Sequence, residues 1–127
     1  MRKNKFKLEY PLNNASPHIL WNSIGTAYGL SEWFADDVTE ENGHFNFRWK
    51  NHEQQATMLH AKPNAYIRLQ WDEDKGTEAF FEMKIITSEL SRDIILQITD
   101  FAEPSETEDM TLLWNQQIDE LKRITGM

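Results

Sequence analysis

The stretch SETEDMTLLWNQQIDELKRIT, residues 105–125, decides the architecture of this chain. Met110, Leu113, Trp114, Ile118, Leu121 and Ile124 trace one face at helical spacing. Ser105 with Glu108 three residues on has the form of a capping box at the N-terminus of that helix. The spacing predicts an amphipathic helix of roughly 20 residues, ~30 Å long. A helix with a single apolar face needs a curved sheet to lie in.

The residues before it supply that sheet. Phe6, Leu8 and Tyr10 alternate with Lys5, Lys7 and Glu9, the period-two signature of a strand with one buried face, closed by Pro11 and Asn13-Asn14. Phe45, Phe47 and Trp49 alternate in the same way after an acidic, turn-rich segment from Ala35 to Gly43. Glu53–Lys62 follows the Lys50-Asn51-His52 turn. Pro63-Asn64 then turns into Ile67, Leu69 and Trp71, and Asp72 to Gly76 reads as a hairpin connection. Ala79-Phe81-Met83-Ile85 and Ile94-Leu96-Ile98 complete about six strands. Between the first strand and the rest, Ser16-Pro17 caps a short helix carrying Ile19, Leu20 and Ile24, which Gly25 interrupts. A second helical piece holds Ala27, Leu30, Trp33 and Phe34, with Gly29 as a break or a close-packing point. The order strand, two short helices, antiparallel meander, long helix predicts a single α+β domain over residues 1–127, a strongly curved sheet wrapped around the terminal helix.

Composition narrows function. Of 127 residues, 39% are apolar and 12% aromatic, too much hydrophobic material for a disordered chain. With 13 Lys+Arg against 21 Asp+Glu, the formal charge of −8 opposes phosphate backbones and anionic lipid surfaces. The absence of Cys excludes disulfides, thiolate nucleophiles and Cys-ligated metal sites. The basic start Met1-Arg2-Lys3-Asn4-Lys5 is not followed by the apolar run of an export signal, and no stretch approaches the roughly 18 apolar residues of a membrane span, so a soluble, cytoplasmic protein without membrane insertion is expected.

The residues also carry a resemblance that runs almost end to end. It rests on Gly29-Leu30 with Trp33-Phe34; on Gly43-x-Phe45-x-Phe47; on Ala56-x-Met58, Pro63, Ile67-x-Leu69 and Trp71; and on Ile98-Thr99-x-Phe101 ahead of Trp114, Ile118 and Leu121-Lys122. Together these resemble the START-like (SRPBCC) helix-grip superfamily, especially its branch related to the activator of the heat-shock chaperone ATPase. Ala56 departs from the pattern where many relatives look glycine-like. The resemblance implies an elongated cavity between the terminal helix and the concave sheet face, used across the superfamily for lipids, polyketides, plant hormones and other apolar molecules. Members include enzymes, carriers and protein binders, so fold alone names no activity.

On this reading, Phe45, Phe47, Trp49, Met58, Leu69, Trp71, Phe81, Met83, Leu96, Trp114 and Ile118 face the interior, joined by Trp33 and Leu121. Composition alone does not separate a pocket lining from ordinary core. Gln117 lies among Leu113, Trp114 and Leu121; buried, its amide would need a backbone group, water or a ligand as partner. His60, in register with Ala56 and Met58, is a candidate for the cavity, with Leu59 inside on the other assignment. His18, His44 and His52 have no metal-ligand spacing, and the acidic runs Asp36-Asp37, Glu40-Glu41 and Asp72-Glu73-Asp74 lack that of a calcium loop; no metal or cofactor is expected. No serine sits in a nucleophile motif, and no catalytic residue is indicated.

Tyr66, Phe80 and Ile95 fall on the opposite sheet face and suggest a homodimer surface. The leading expectation is a non-catalytic domain that binds a small hydrophobic or amphipathic ligand. The alternatives are a protein-interaction module like the chaperone activators, and a cyclase- or dehydratase-like enzyme using a cavity histidine.

Overall fold

The computed structural model describes residues 2–127. Met1, the first residue of the basic start, lies outside the described residues. The chain runs β1 (Asn4–Leu12), α1 (Pro17–Ile24), α2 (Ala27–Trp33), β2 (Asp37–Glu41), β3 (His44–Trp49), β4 (His52–Lys62), β5 (Tyr66–Trp71), a 3-10 turn at Asp72–Asp74, β6 (Phe81–Thr87), β7 (Ile94–Ala102) and α3 (Thr107–Thr125). The strands form one seven-stranded antiparallel sheet in the order β1-β7-β6-β5-β4-β3-β2. β2 through β7 are a meander; β1 reaches the far edge by pairing with β7, and α1 and α2 span the gap.

Alternation sets which residues enter the core. Phe45, Phe47, Ile67, Leu69, Phe81, Met83, Leu96 and Ile98 leave one face of the sheet and pack with Trp114, Ile118 and Leu121 of α3 in a single cluster. Leu69, Met83, Leu96, Ile98, Ile118 and Leu121 are all fully buried. Each such side chain stabilises the fold by about 1.5–3 kcal/mol. α1 begins where expected, with Ser16 accepting from the Ile19 N–H and Pro17 in the first turn. Gly29 is a close-packing point and not a break: a Cβ there would lie 1.9 Å from the Asn22 carbonyl oxygen.

Three expectations need correction. The acidic segment before Gly43 contains a seventh strand, β2, paired to β3 from Asp37↔Arg48 to Glu41↔His44 through a two-residue Asn42-Gly43 turn with positive φ at both positions. The Ser105–Glu108 capping box does not form: α3 begins at Thr107 with Glu106 at the cap and no side-chain cap bond. The Thr107 hydroxyl instead donates to the Glu103 carbonyl, within a turn that sets the start of the helix two residues later. β7 also extends four residues beyond Ile98, to Ala102.

Candidate functional site

Counting by twos along β7 from Ile94, Leu96 and Ile98 brings Asp100 and Ala102 onto the same inward face. Asp100 is only 5% exposed. Its Oδ2 accepts the Trp114 indole N–H at 2.8 Å, and its Oδ1 accepts the Phe101 backbone N–H at 2.7 Å. Burial pushes the carboxyl up from its ordinary 3.8 to about 6; the two hydrogen bonds and the charge of Lys3 pull it back down, while Asp74 adds to the rise. Asp74, in the 3-10 turn, is itself buried and takes the Lys3 ammonium at 2.8 Å. Desolvation alone would lower the Lys3 pKa, but the bond to Asp74 and the nearby carboxylates Glu73 and Asp100 outweigh it and raise it.

These groups form one wall of a cavity of about 340 Å³. The first half of α3 roofs it through Met110, Leu113, Trp114 and Gln117; β7 contributes Asp100, and the sheet floor contributes Trp49, Trp71 and Phe81. Phe34, just past α2, completes the aromatic wall. Its ring lies 5.2 to 6.0 Å from those of Phe47, Trp49, Phe81 and Trp114, and Trp71 stacks on Phe81 at 4.7 Å. The Phe34 carbonyl accepts from both Trp49 Nε1 at 3.1 Å and Gln117 Nε2 at 3.0 Å, tying the loop after α2 to β3 and α3. Glu73, Glu106, His52 and the half-exposed Leu113 form the mouth.

The structure divides the sequence-derived interior set. Trp49, Trp71, Phe81, Trp114 and Gln117 line the cavity. Trp33, Phe45, Phe47, Leu69, Met83, Leu96, Ile118 and Leu121 are buried core beside or beyond it, and Trp33 spends its indole N–H on the Ser23 carbonyl. The cavity lies under the first half of α3, whereas under the second half Ile118 and Leu121 are fully buried in packed core.

Two assignments fail. Met58 pairs with Leu69 on the inward side but lies beyond the covered core, 38% exposed. His60 faces outward, because a β-bulge between Met58 and His60 resets the alternation and pairs His60 with Arg68. There it meets the Tyr66 hydroxyl beside a depression on the outer face. Leu59, the alternative inward residue, is also exposed.

The suggested dimer surface is not continuous. Tyr66, Phe80 and Ile95 are all partly buried on the outer side, but the Arg68–Glu82 ion pair at 2.8 Å runs between the rows of Tyr66 and Phe80, and Arg68 lies over the Phe80 ring. The sequence reading missed Asp100, Phe34, Lys3 and Asp74 as site residues. For Asp100 a signal was present in its phase with Ile94, Leu96 and Ile98. Lys3 and Asp74 are 71 residues apart and meet only in the fold.

No three His, Asp or Glu side chains gather to hold a metal ion among the described residues, and no helix is long and apolar enough to cross a membrane.

The sequence profile of the START-like superfamily domain matches residues 1–127. A Bacteroides fragilis protein of known solution structure is 39% identical, with a TM-score of 0.68 over 98% of this chain and 92% of its own. The fold is shared at lower identity with the Aha1 dimer of Colwellia psychrerythraea (15%, TM-score 0.73, 95% of this chain and 92% of that one). It is also shared with a Bacillus halodurans protein (17%, TM-score 0.74, 98% and 99%). No functionally curated protein matches the chain.

Proposed function

The chain belongs to the START-like superfamily, and from that premise we propose that it is a non-catalytic binding domain sheltering a small amphipathic molecule under the first half of α3. The observation that carries this reading is the aromatic-walled cavity of about 340 Å³, inside the range of about 300–1,000 Å³ common for small-molecule sites. Its apolar body suits a ring or short branched chain. Asp100 and Gln117 are the polar groups placed to orient one end. The same reading takes residues 1–127 as one domain working in the cytoplasm.

A protein-interaction role like that of the chaperone activators draws support from fold likeness alone, since the outer sheet face is broken by charge. A cyclase- or dehydratase-like reaction loses the histidine assigned to it, because His60 lies on the far side of the sheet from the cavity; the histidine at the mouth, His52, is stacked on Trp49.

Titration with a neutral aromatic probe, N-phenyl-1-naphthylamine, tests the reading. The expected result is saturable one-to-one binding that the Leu113→Trp variant blocks, because Leu113 stands half exposed at the mouth and a larger side chain there fills it. No binding to the folded protein, or binding indifferent to that substitution, overturns it. Native mass spectrometry of freshly purified protein adds an independent check, in which a retained small molecule supports the binding role.

A further inference from the structure

Four carboxylates face this cavity or its mouth: Asp100 from β7, Glu73 and Asp74 from the turn after β5, and Glu106 from the start of α3. Against them stands one lysine, Lys3, already spent on Asp74 at 2.8 Å. His52, at the mouth, stacks on Trp49 with centroids 4.9 Å apart. Asp100 is the most deeply placed of the charged groups. Its two bonds come from an indole and an amide, both uncharged, and among the described residues no ion pair reaches it. A carboxylate has roughly four acceptor sites, so each oxygen keeps capacity for a further donor. A buried charge without a counter-ion is costly, and a cation brought into contact with it recovers part of that cost.

The remaining walls favour the same sign. Phe34, Trp49, Trp71, Phe81 and Trp114 line the cavity, and aromatic rings attract cations through their quadrupole, more strongly where water is excluded. The formal charge of −8 raises the local concentration of cations around the whole chain.

We propose that the cavity selects organic cations: amines whose ammonium sits against Asp100 while an apolar body, such as an aromatic ring, packs among the aromatic side chains. This rests on the reading of the cavity as a binding site and adds the chemical class of its occupant. Neutral lipids and fatty acids are disfavoured, the first for bringing no counter-charge to Asp100 and the second for bringing a like charge to it.

The test compares three probes that share one ring system: 1-naphthylmethylamine, 1-naphthalenemethanol and 1-naphthoate, titrated calorimetrically into the intact protein above neutral pH at low salt. The amine is expected to bind about tenfold or more tighter than the alcohol, and the carboxylate weakest. Asp100→Asn should abolish the advantage of the amine over the alcohol. Glu73→Gln, at the exposed mouth and away from the core, should give a smaller loss for the amine alone, and serves if the Asp100 variant does not fold. If the alcohol binds as tightly as the amine, or the carboxylate binds best, the charge preference is overturned and the cavity reading stands. If the folded protein binds none of the three, both fall.

Discussion

Trp114 donates its indole N–H to Asp100 Oδ2 across 2.8 Å, with both residues buried, and this bond joins the first half of α3 to β7 at the cavity wall. It fixes the helix at the point where packing is least complete, since farther along Ile118 and Leu121 are held by filled core. Trp114→Phe keeps most of the apolar ring and removes the donor. The carboxylate then keeps only the Phe101 N–H of its two bonds. The expected loss is about 1–3 kcal/mol, the cost of a buried acceptor deprived of its partner, plus a smaller term for the volume removed. Urea unfolding of the two proteins measures it; an unchanged midpoint would mean that the bond contributes nothing to stability.

Asp100 also makes stability depend on pH. Its carboxyl titrates at about 6 in the folded protein against an ordinary 3.8. Between those values the native state holds a proton that the unfolded chain has released, so stability falls as pH rises through the window and is lowest above it. From about pH 5 to about pH 8 this group alone removes about 1–2 kcal/mol. Asp100→Asn cannot ionise, so the wild type should lose stability relative to that variant by about this amount over the same range. Parallel denaturation curves at the two pH values decide it. A constant difference would show that the carboxyl is already ionised at the lower pH.

Gly29 tests how α1 and α2 meet. A Cβ at this position would lie 1.9 Å from the Asn22 carbonyl oxygen and 2.7 Å from the Ser23 Cα. Both obstacles are backbone, and the adjoining Ser23 carbonyl is held by the Trp33 indole, so neither helix can give way locally. Gly29→Ala improves helix propensity but should still destabilise by about 1–3 kcal/mol or more through overpacking. Thermal unfolding provides the measurement, and a variant as stable as the parent would contradict this packing.

Much of the fold was legible because burial and period coincide. Strands with one inward face, such as β1 and β3, announce themselves by alternation, and Ser16-Pro17 sets the start of α1 by local chemistry alone. β2 was missed because it is a polar edge strand in which only Val38 is buried, leaving the Asn42-Gly43 turn as its signal. His60 was misplaced because a bulge adds one residue without any mark in the hydrophobic pattern. The cavity was the least legible part. Phe47 and Trp71 are both large aromatics on inward faces, yet one is fully buried core and the other lines open space. That difference depends on where α3 crosses the sheet.

Gln117 reaches from α3 to the Phe34 carbonyl, which also accepts from Trp49. The geometry requires a donor at this position, and Gln117→Glu tests that requirement with almost no change of shape. Ionised glutamate offers only acceptors, so it places a negative charge against a carbonyl oxygen; Gln117→Ala merely leaves that oxygen with the Trp49 N–H as its partner. Alanine should therefore cost about 0.5–1.5 kcal/mol, the net worth of one hydrogen bond, and glutamate more at neutral pH. The gap should narrow as pH falls and the glutamate protonates, because a neutral carboxyl can donate through its O–H. Chemical denaturation of both variants at neutral and acidic pH measures the gap. A glutamate variant as stable as wild type at neutral pH would show that the side chain turns to solvent instead of bridging α3 to the loop after α2.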